Sequence, residues 1–372
     1  MSLTLHQHLT NPGPKRILAL DGGGIRGALT LGFLEKIEDT LRQRHGNDPD
    51  FRLCDYFDLI GGTSTGAIIA TCLALGMKAS EVKKMYLDLG GVIFAKRRTW
   101  FQWLSAKFDA GALEASLQDV LGNRTLSSPD LRTGLCIVTK RADTGSTWPL
   151  LNHPGSKYYA DNKGILLRKA VRASAAAPTY FTPEEIDVGK GEMAAFIDGG
   201  VSMYNNPAML LFLVATLKGF PFRWETGGDR LMVVSVGTGW SRTRLMPSQV
   251  TDNKLWNWGV EVPDILMRDA SIQSHLLLQY LSNSPTRTPI DTEIGDMTGD
   301  LLGGNAHLHY LRYNVRMETN ELNDLGVPNA DLETLTEMSN ARNRKILAEI
   351  GSRAAARNVQ PDHFPAGFDV NP

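Results

Sequence analysis

Residues 21–27 read DGGGIRG and residues 62–66 read GTSTG. Each follows a short apolar run, RILAL before the first and FDLI before the second, and each leads into an apolar stretch. A glycine turn between strand and helix exposes bare backbone amides at a helix N-terminus, where negative charge is stabilised. Two chemistries use such a turn: binding a phosphate, or stabilising the oxyanion of a reacting ester. Gly22-x-Gly24-x-x-Gly27 formally fits a dinucleotide fingerprint. That fingerprint calls for an acidic residue at a strand end roughly 20 positions on. Asp48 and Asp50 stand at about that distance, but inside the polar loop HGNDPD, and the Lys-Ser/Thr pair of a P-loop is missing.

GTSTG fits G-x-S-x-G, in which a serine sits on a sharp strand-to-helix turn. Ser64 is then a candidate nucleophile, with Gly62 and Gly66 allowing strand and helix to approach closely. A nucleophile needs a base and an oxyanion stabiliser. The amides of Gly22, Gly23 and Gly24 are candidates for the second role, where losing one donor typically costs about 3 kcal/mol. Arg26 is a cation in the first helical turn, where the dipole opposes it; it either steadies the loop or meets a substrate headgroup. None of the eight histidines stands in a recognisable motif. Asp198 follows the apolar run AAFI and precedes Gly199 and Gly200, which puts a carboxylate at a strand end. It is either a base in direct contact with Ser64 or a turn aspartate before two glycines. Aspartate is a weak base, and partial burial strengthens it.

The elements that must position these groups alternate. The pattern predicts a strand over 16–20 and a helix from about 26 to 45, with Leu29, Phe33, Ile37 and Leu41 on one face. Strands follow at 135–139, 194–197 and 231–236, and helices at 165–173 and 206–217. Beyond about residue 240 the pattern weakens to a strand within 307–316 and one helix over 331–350. Strands alternating with helices imply an α/β fold with a mostly parallel sheet covered on both faces. Residues 59–77 and 201–217 are uncharged, but glycines, hydroxyls and Asn205-Asn206-Pro207 interrupt them, so both are predicted to be buried rather than spanning.

DGGGIRG, GTSTG and DGG, in that order, resemble the patatin-like phospholipases, lipid acyl hydrolases with a Ser-Asp dyad. ASAAAPTYF (173–181), NNP (205–207) and SVGTG (235–239) extend the resemblance over roughly residues 16–240. It implies Ser64 as nucleophile, Asp198 as base, an oxyanion hole at Gly22, Gly23 and Gly24, and Arg26 in its motif position. It also implies a three-layer α/β/α sandwich related to patatin and to the catalytic domain of cytosolic phospholipase A2. It implies one catalytic domain at 16–355 (core motifs 16–240, extension 241–355); the residues themselves read as a loose arm at 1–15 and a tail at 356–372, of which PDHFPAGFDVNP has the look of a surface segment. The implied reaction is hydrolysis of phospholipid or other lipid esters through an acyl-serine, with no metal or organic cofactor. Some bacterial members are effectors switched on by nucleotide messengers, which adds a small-molecule activator as a partner. Two other readings stand beside this one: a nucleotide-binding module using DGGGIRG as a phosphate cradle, and a Ser-His-Asp α/β-hydrolase esterase.

With 42% hydrophobic and 21% charged residues the chain has the makeup of a globular protein with a core. A net charge of −1 gives no electrostatic case for nucleic acid. Cys54, Cys72 and Cys136 are too few and too scattered for a disulfide framework or a zinc site. The N-terminus lacks the apolar core of a secretion signal, so the expected location is cytoplasmic, with peripheral contact at the inner face of the membrane. The segment AKRRTWFQWL (95–104) carries that contact or a lid: Arg97, Arg98, Trp100, Phe101 and Trp103 mix cations and amphipathic rings as a membrane interface requires. Packing of those rings on the core is the competing reading. Oligomeric state has no signature in the sequence.

Overall fold

Alternation within one strand separates the two sides of the molecule. In β1 (Lys15–Leu20), Leu18 and Leu20 join one buried apolar cluster while Ile17 and Ala19 join another. This is the pattern of a strand covered on both faces. The structure is a computed structural model that describes residues 3–93, 110–178, 180–241, 248, 255–328 and 330–370. The other strands are β2 (Leu59–Thr63), β3 (Gly134–Arg141), β4 (Ser146–Leu151), β5 (Glu184–Asp187), β6 (Met193–Asp198), β7 (Leu231–Val236) and β8 (His309–Tyr313). They form an eight-stranded sheet in the order β5-β6-β3-β2-β1-β7-β8, with β4 also on β3. From β3 to β8 neighbouring strands are parallel, whereas β4 and β6 pair antiparallel with β3 and β5 with β6. The fold is α/β, in three layers. Helices Gly27–Arg44, Thr65–Ala74 and Arg344–Asn358 bury their apolar residues in one cluster, and helix Ala208–Thr216 does so in the other. The long helix Leu255–Tyr280 lies against Ala208–Thr216.

The uncharged stretch 59–77 is strand β2 followed by a fully buried helix, and 201–217 contains the helix Ala208–Thr216. Among the described residues no helix is long and apolar enough to cross a membrane. All three cysteines are free and buried, and burial pushes the thiols of Cys54 and Cys72 up to about 12.

Three regions differ from expectation. The single helix over 331–350 is instead Leu332–Thr336, a 3-10 turn Ala341–Asn343 and the helix Arg344–Asn358. The chain is drawn out of helical geometry because the Met338 carbonyl accepts from Ile25 N at 2.8 Å and Asn340 Oδ1 caps Arg342 N at 3.3 Å. The last residues do not stand off as a surface tail. Phe364 and Phe368 are buried, Arg16 donates to the Phe368 carbonyl at 3.2 Å, and Arg44 pairs with Asp369 at 2.7 Å. The N-terminal arm likewise packs: helix Leu5–Thr10 buries His8 and Leu9, with His8 Nδ1 2.9 Å from Asp58.

Candidate active site

Ser64 occupies the single residue between β2 and the helix Thr65–Ala74, with φ 54° and ψ −121°. A side chain at positive φ costs of order 1–3 kcal/mol and persists only where its surroundings enforce it. Here Ser64 N donates to Ser174 Oγ at 2.8 Å, and Ser174 Oγ donates to the Val138 carbonyl at 2.6 Å. The turn also needs its flanking glycines. A Cβ on Gly62 would lie 2.2 Å from the Gly66 carbonyl carbon, and one on Gly66 would lie 2.2 Å from the Leu20 carbonyl oxygen. Strand and helix thus touch backbone to backbone. The hydroxyl stands at the N-terminus of a helix, where a developing negative charge is favoured.

Asp198 reaches the same spot through strand register. β4 occupies one edge of β3 from Cys136 to Arg141. On the other edge β2 pairs up to Thr63 opposite Val138, and β6 enters with Asp198 opposite Thr139. Adjacent positions on β3 therefore bring residues 64 and 198 side by side. Asp198 is buried, and its Oδ1 accepts from Gly200 N at 2.7 Å. Burial pushes its carboxyl up to about 6, against smaller opposing pulls from the Ser64 hydroxyl and the Gly200 amide. The Ser64 hydroxyl and the Gly200 amide are thus the two hydrogen-bonding groups that act on this carboxylate. Gly199 is required by close approach, since a Cβ there would lie 2.3 Å from the Val138 carbonyl.

The DGGGIRG loop closes the third side. A Cβ on Gly22 would come 3.4 Å from Ser64 Cβ, so the loop lies directly beside the serine. Of the three donors expected here, two remain. Gly22 N is engaged by the Asn205 carbonyl at 2.9 Å. Among the described residues no acceptor is bonded to the amides of Gly23 or Gly24. The loop is held from several directions. Thr238 Oγ1 donates to the Gly22 carbonyl at 3.0 Å, while Tyr86 Oη and Thr65 Oγ1 donate to the Gly24 carbonyl at 2.5 and 3.0 Å. Gly24 has φ 56°, and a Cβ on it would lie 2.3 Å from the Met338 carbonyl oxygen. Asp21, just ahead of the glycines, forms a buried two-pronged ion pair with Arg312 at 2.6 and 2.9 Å.

Arg26 points away from this centre. Its Nε is buried without a hydrogen-bond partner, burial lowers its pKa, and Asp264 and Asp21 are the opposing charges nearby. It lines a cavity to which neither Ser64 nor Asp198 contributes. Among the described residues no histidine hydrogen-bonds Ser64: His8 meets Asp58, His153 accepts from Gly155 N, His275 meets Tyr310 and Thr288, and His363 meets Tyr313. Arg97, Arg98, Trp100, Phe101 and Trp103 lie outside the described residues. Ser174, Asn205 and Thr238 fall within the motif stretches 173–181, 205–207 and 235–239, yet no spacing marks their roles. Tyr86 and Met338 carry no local signal at all.

The Patatin-like phospholipase family model matches residues 18–212. Among curated proteins, a cGAMP-activated phospholipase of Escherichia coli (strain TW11681) is 28% identical over 279 residues, covering 72% of this chain and 76% of that protein. A cGAMP-activated phospholipase of Vibrio cholerae is 27% identical over 361 residues, covering 92% and 93%. Patatin-1-Kuras 2 of Solanum tuberosum is 26% identical over 372 residues, covering 93% and 88%.

Proposed function

This chain belongs to the patatin-like phospholipase family, and on that premise we propose that its lipid acyl hydrolysis runs through Ser64 as nucleophile and Asp198 as base. The observation that carries the assignment is the neighbouring register on β3, which sets a strained serine beside a buried carboxylate with a pKa of about 6. Ser64 Oγ attacks the ester carbonyl carbon as its proton passes to an Asp198 oxygen. The carbonyl oxygen becomes an oxyanion facing the amides of Gly23 and Gly24. The carbon–oxygen bond to the alcohol then breaks, Asp198 returns the proton to the departing oxygen, and an acyl-serine remains. Water attacks this ester, Asp198 takes and returns one proton, and fatty acid and free Ser64 result. Mass spectrometry after exposure to a fluorophosphonate tests the assignment. An adduct on the Ser64 peptide, absent in Ser64→Ala, is expected; a folded protein that stays unlabelled counts against it.

Substrate lipid reaches the site over an apolar rim. Val201 and Met203, just past Asp198, are 47% and 53% exposed, and Val262 and Leu266 on the long helix are 42% and 62% exposed. The helix Leu255–Tyr280 contacts the turn Gly199–Val201, which joins the two halves of this rim. Apolar side chains around a lipid-cleaving centre suit the acyl boundary of a bilayer. The double variant Met203→Glu/Leu266→Glu is expected to lower hydrolysis of vesicle phospholipid by about tenfold or more. Hydrolysis of a monomeric short-chain ester should fall far less. Equal losses on both substrates would move the rim's role from the bilayer to the chemistry.

The names of the E. coli and V. cholerae relatives state activation by cGAMP, and a small-molecule activator is the second reading for this chain. The glycine loop is a poor cradle for one, because the amides of Gly22, Ile25 and Arg26 are all engaged by protein carbonyls. The cavity behind Arg26 is the observation that favours it.

A further inference from the structure

The amide of Gly23 is one of the two donors left to the oxyanion, and among the described residues no bond to its own nitrogen holds it. Its direction is fixed from the far end of the same peptide. A trans peptide is planar, with its N–H pointing opposite to its C=O. The Gly22 carbonyl accepts from Thr238 Oγ1 at 3.0 Å and from Asn205 Nδ2 at 3.4 Å. Both donors come from outside the loop. The plane of the Gly22–Gly23 peptide, and with it the Gly23 N–H, is therefore set by Asn205 and Thr238. A Cβ on Gly23 would lie 2.3 Å from Thr238 Oγ1 and 2.6 Å from Thr238 Cβ, so the threonine also presses on the next α-carbon. The Gly24 carbonyl has hydroxyl donors too, Tyr86 and Thr65, but its peptide ends in the Ile25 N–H, which the Met338 carbonyl occupies. Among the described residues, Thr238 is thus the one hydroxyl bonded to a peptide of this loop whose N–H is free.

Thr238 is itself a fixed point. It is buried in the turn that follows β7, between two glycines anchored on the end of β8. Gly237 N donates to the Tyr313 carbonyl at 2.8 Å and Gly239 N to Asn314 Oδ1 at 2.8 Å, while Thr30 Oγ1 donates to the Gly237 carbonyl at 2.8 Å. A donor on a carbonyl polarises the peptide and strengthens the N–H at its other end. That gain counts most once negative charge develops on the substrate oxygen. We propose that Thr238 is a positioning residue for the reaction: its hydroxyl, bonded to the Gly22 carbonyl, aims and polarises the Gly23 N–H that meets the oxyanion. Asn205 assists at the same carbonyl. The inference rests on the reading of Ser64 as nucleophile with Gly23 as an oxyanion donor. It gives a role in the chemistry to a residue outside the stretch 18–212 that the family model matches.

Thr238→Val and Thr238→Ser in the full chain test it. Valine keeps the bulk beneath Gly23 and loses the hydroxyl, whereas serine keeps the hydroxyl. On a soluble ester, Thr238→Val is expected to lower kcat by about tenfold with KM within about twofold of wild type, a fraction of the loss from deleting an oxyanion donor outright. Thr238→Ser should stay within about threefold of wild type. A short-chain trifluoromethyl ketone supplies a readout that general loosening would not single out. Ser64 Oγ adds to its carbonyl carbon, the Ser64 proton passes to Asp198, and the carbonyl oxygen becomes a lasting oxyanion facing Gly23. Its affinity should weaken in Thr238→Val by the same factor as kcat/KM, while an analogue with an ether in place of the ester binds as it does to wild type. If Thr238→Val does not fold, Thr238→Ala takes its place with the same expectation. Wild-type kcat in the valine variant, a loss confined to KM, equal losses of ketone and ether affinity, or a serine variant as slow as the valine one overturns the inference. Ser64→Ala measured alongside keeps the two readings apart. An inactive Ser64→Ala beside a fully active Thr238→Val removes the role of Thr238 alone, whereas an active Ser64→Ala removes the nucleophile and this inference with it.

Discussion

Ser64→Ala lowers kcat on a soluble ester by roughly 10⁴- to 10⁶-fold, the range seen when a serine nucleophile is removed from an enzyme whose oxyanion donors stay in place. The loss is expected without any loss of fold, because the backbone at this position is fixed from outside the side chain. Ser174 Oγ accepts from the residue-64 amide, and the Gly62–Gly66 contact presses strand against helix, whatever side chain stands between them. Alanine keeps a Cβ at φ 54° and so keeps the strain. Ser64→Gly removes it. That variant is equally inactive but more stable than Ser64→Ala, by about 1–2 kcal/mol once glycine's greater freedom in the unfolded chain is subtracted. Urea midpoints of the two variants, measured beside their residual rates, check both halves. Ser64→Ala activity within tenfold of wild type would remove Ser64 from the reaction. Equal stabilities of the two variants would mean that the turn is relaxed, not strained.

Local and non-local information divide cleanly at this site. RILAL-DGGG and FDLIG-GTSTG are legible in the sequence because each is a buried strand, a glycine turn and a helix start within about ten residues. The carboxylate at the end of β6 is legible as a strand-end residue for the same reason. Its position beside Ser64 is not, because that comes from where β6 stops along β3 relative to β2. Motif alone gives the Gly22 amide to the oxyanion. Its actual bond, to Asn205, joins residues 183 apart in the chain, and no periodicity reports such a contact. The break in the helix expected over 331–350 has the same origin. Side-chain spacing there suits a helix, but the Met338 carbonyl is drawn to Ile25 N, and a tertiary bond overrides local propensity. Phe364 and Phe368 read as surface because prolines and glycine surround them. Arg16 donates to the Phe368 carbonyl and Arg44 to those of Pro361 and Phe364, which gives that irregular backbone its partners.

Asp198 links activity to pH in one direction and stability in the other. As the base it works ionised, so kcat/KM for a soluble ester is expected to rise about tenfold per pH unit below its pKa and level off above about pH 6. A histidine base would give a similar limb near 6.5, so the profile alone does not separate the two. Stability does. Burial is the largest cause acting on Asp198 and raises its carboxyl from 3.8 to about 6, so the folded chain holds this proton more tightly than the unfolded chain. Its contribution to stability is therefore fully present below about pH 4 and is lost as pH rises through 6. A rise of that size corresponds to about 3 kcal/mol. Asp198→Asn keeps the shape and carries no charge. It should lower kcat by about 10³-fold or more, yet at pH 8 resist denaturant better than wild type by about 1–3 kcal/mol. That advantage should fade between pH 6 and pH 4. An aspartate that only orients a histidinium would behave oppositely, since its carboxyl would be held low by the neighbouring cation and its replacement would destabilise the protein at pH 8. Denaturant midpoints of wild type and Asp198→Asn across pH 4–8 thus decide whether this carboxylate is a buried base acting directly on Ser64 or the anchor of a conventional triad.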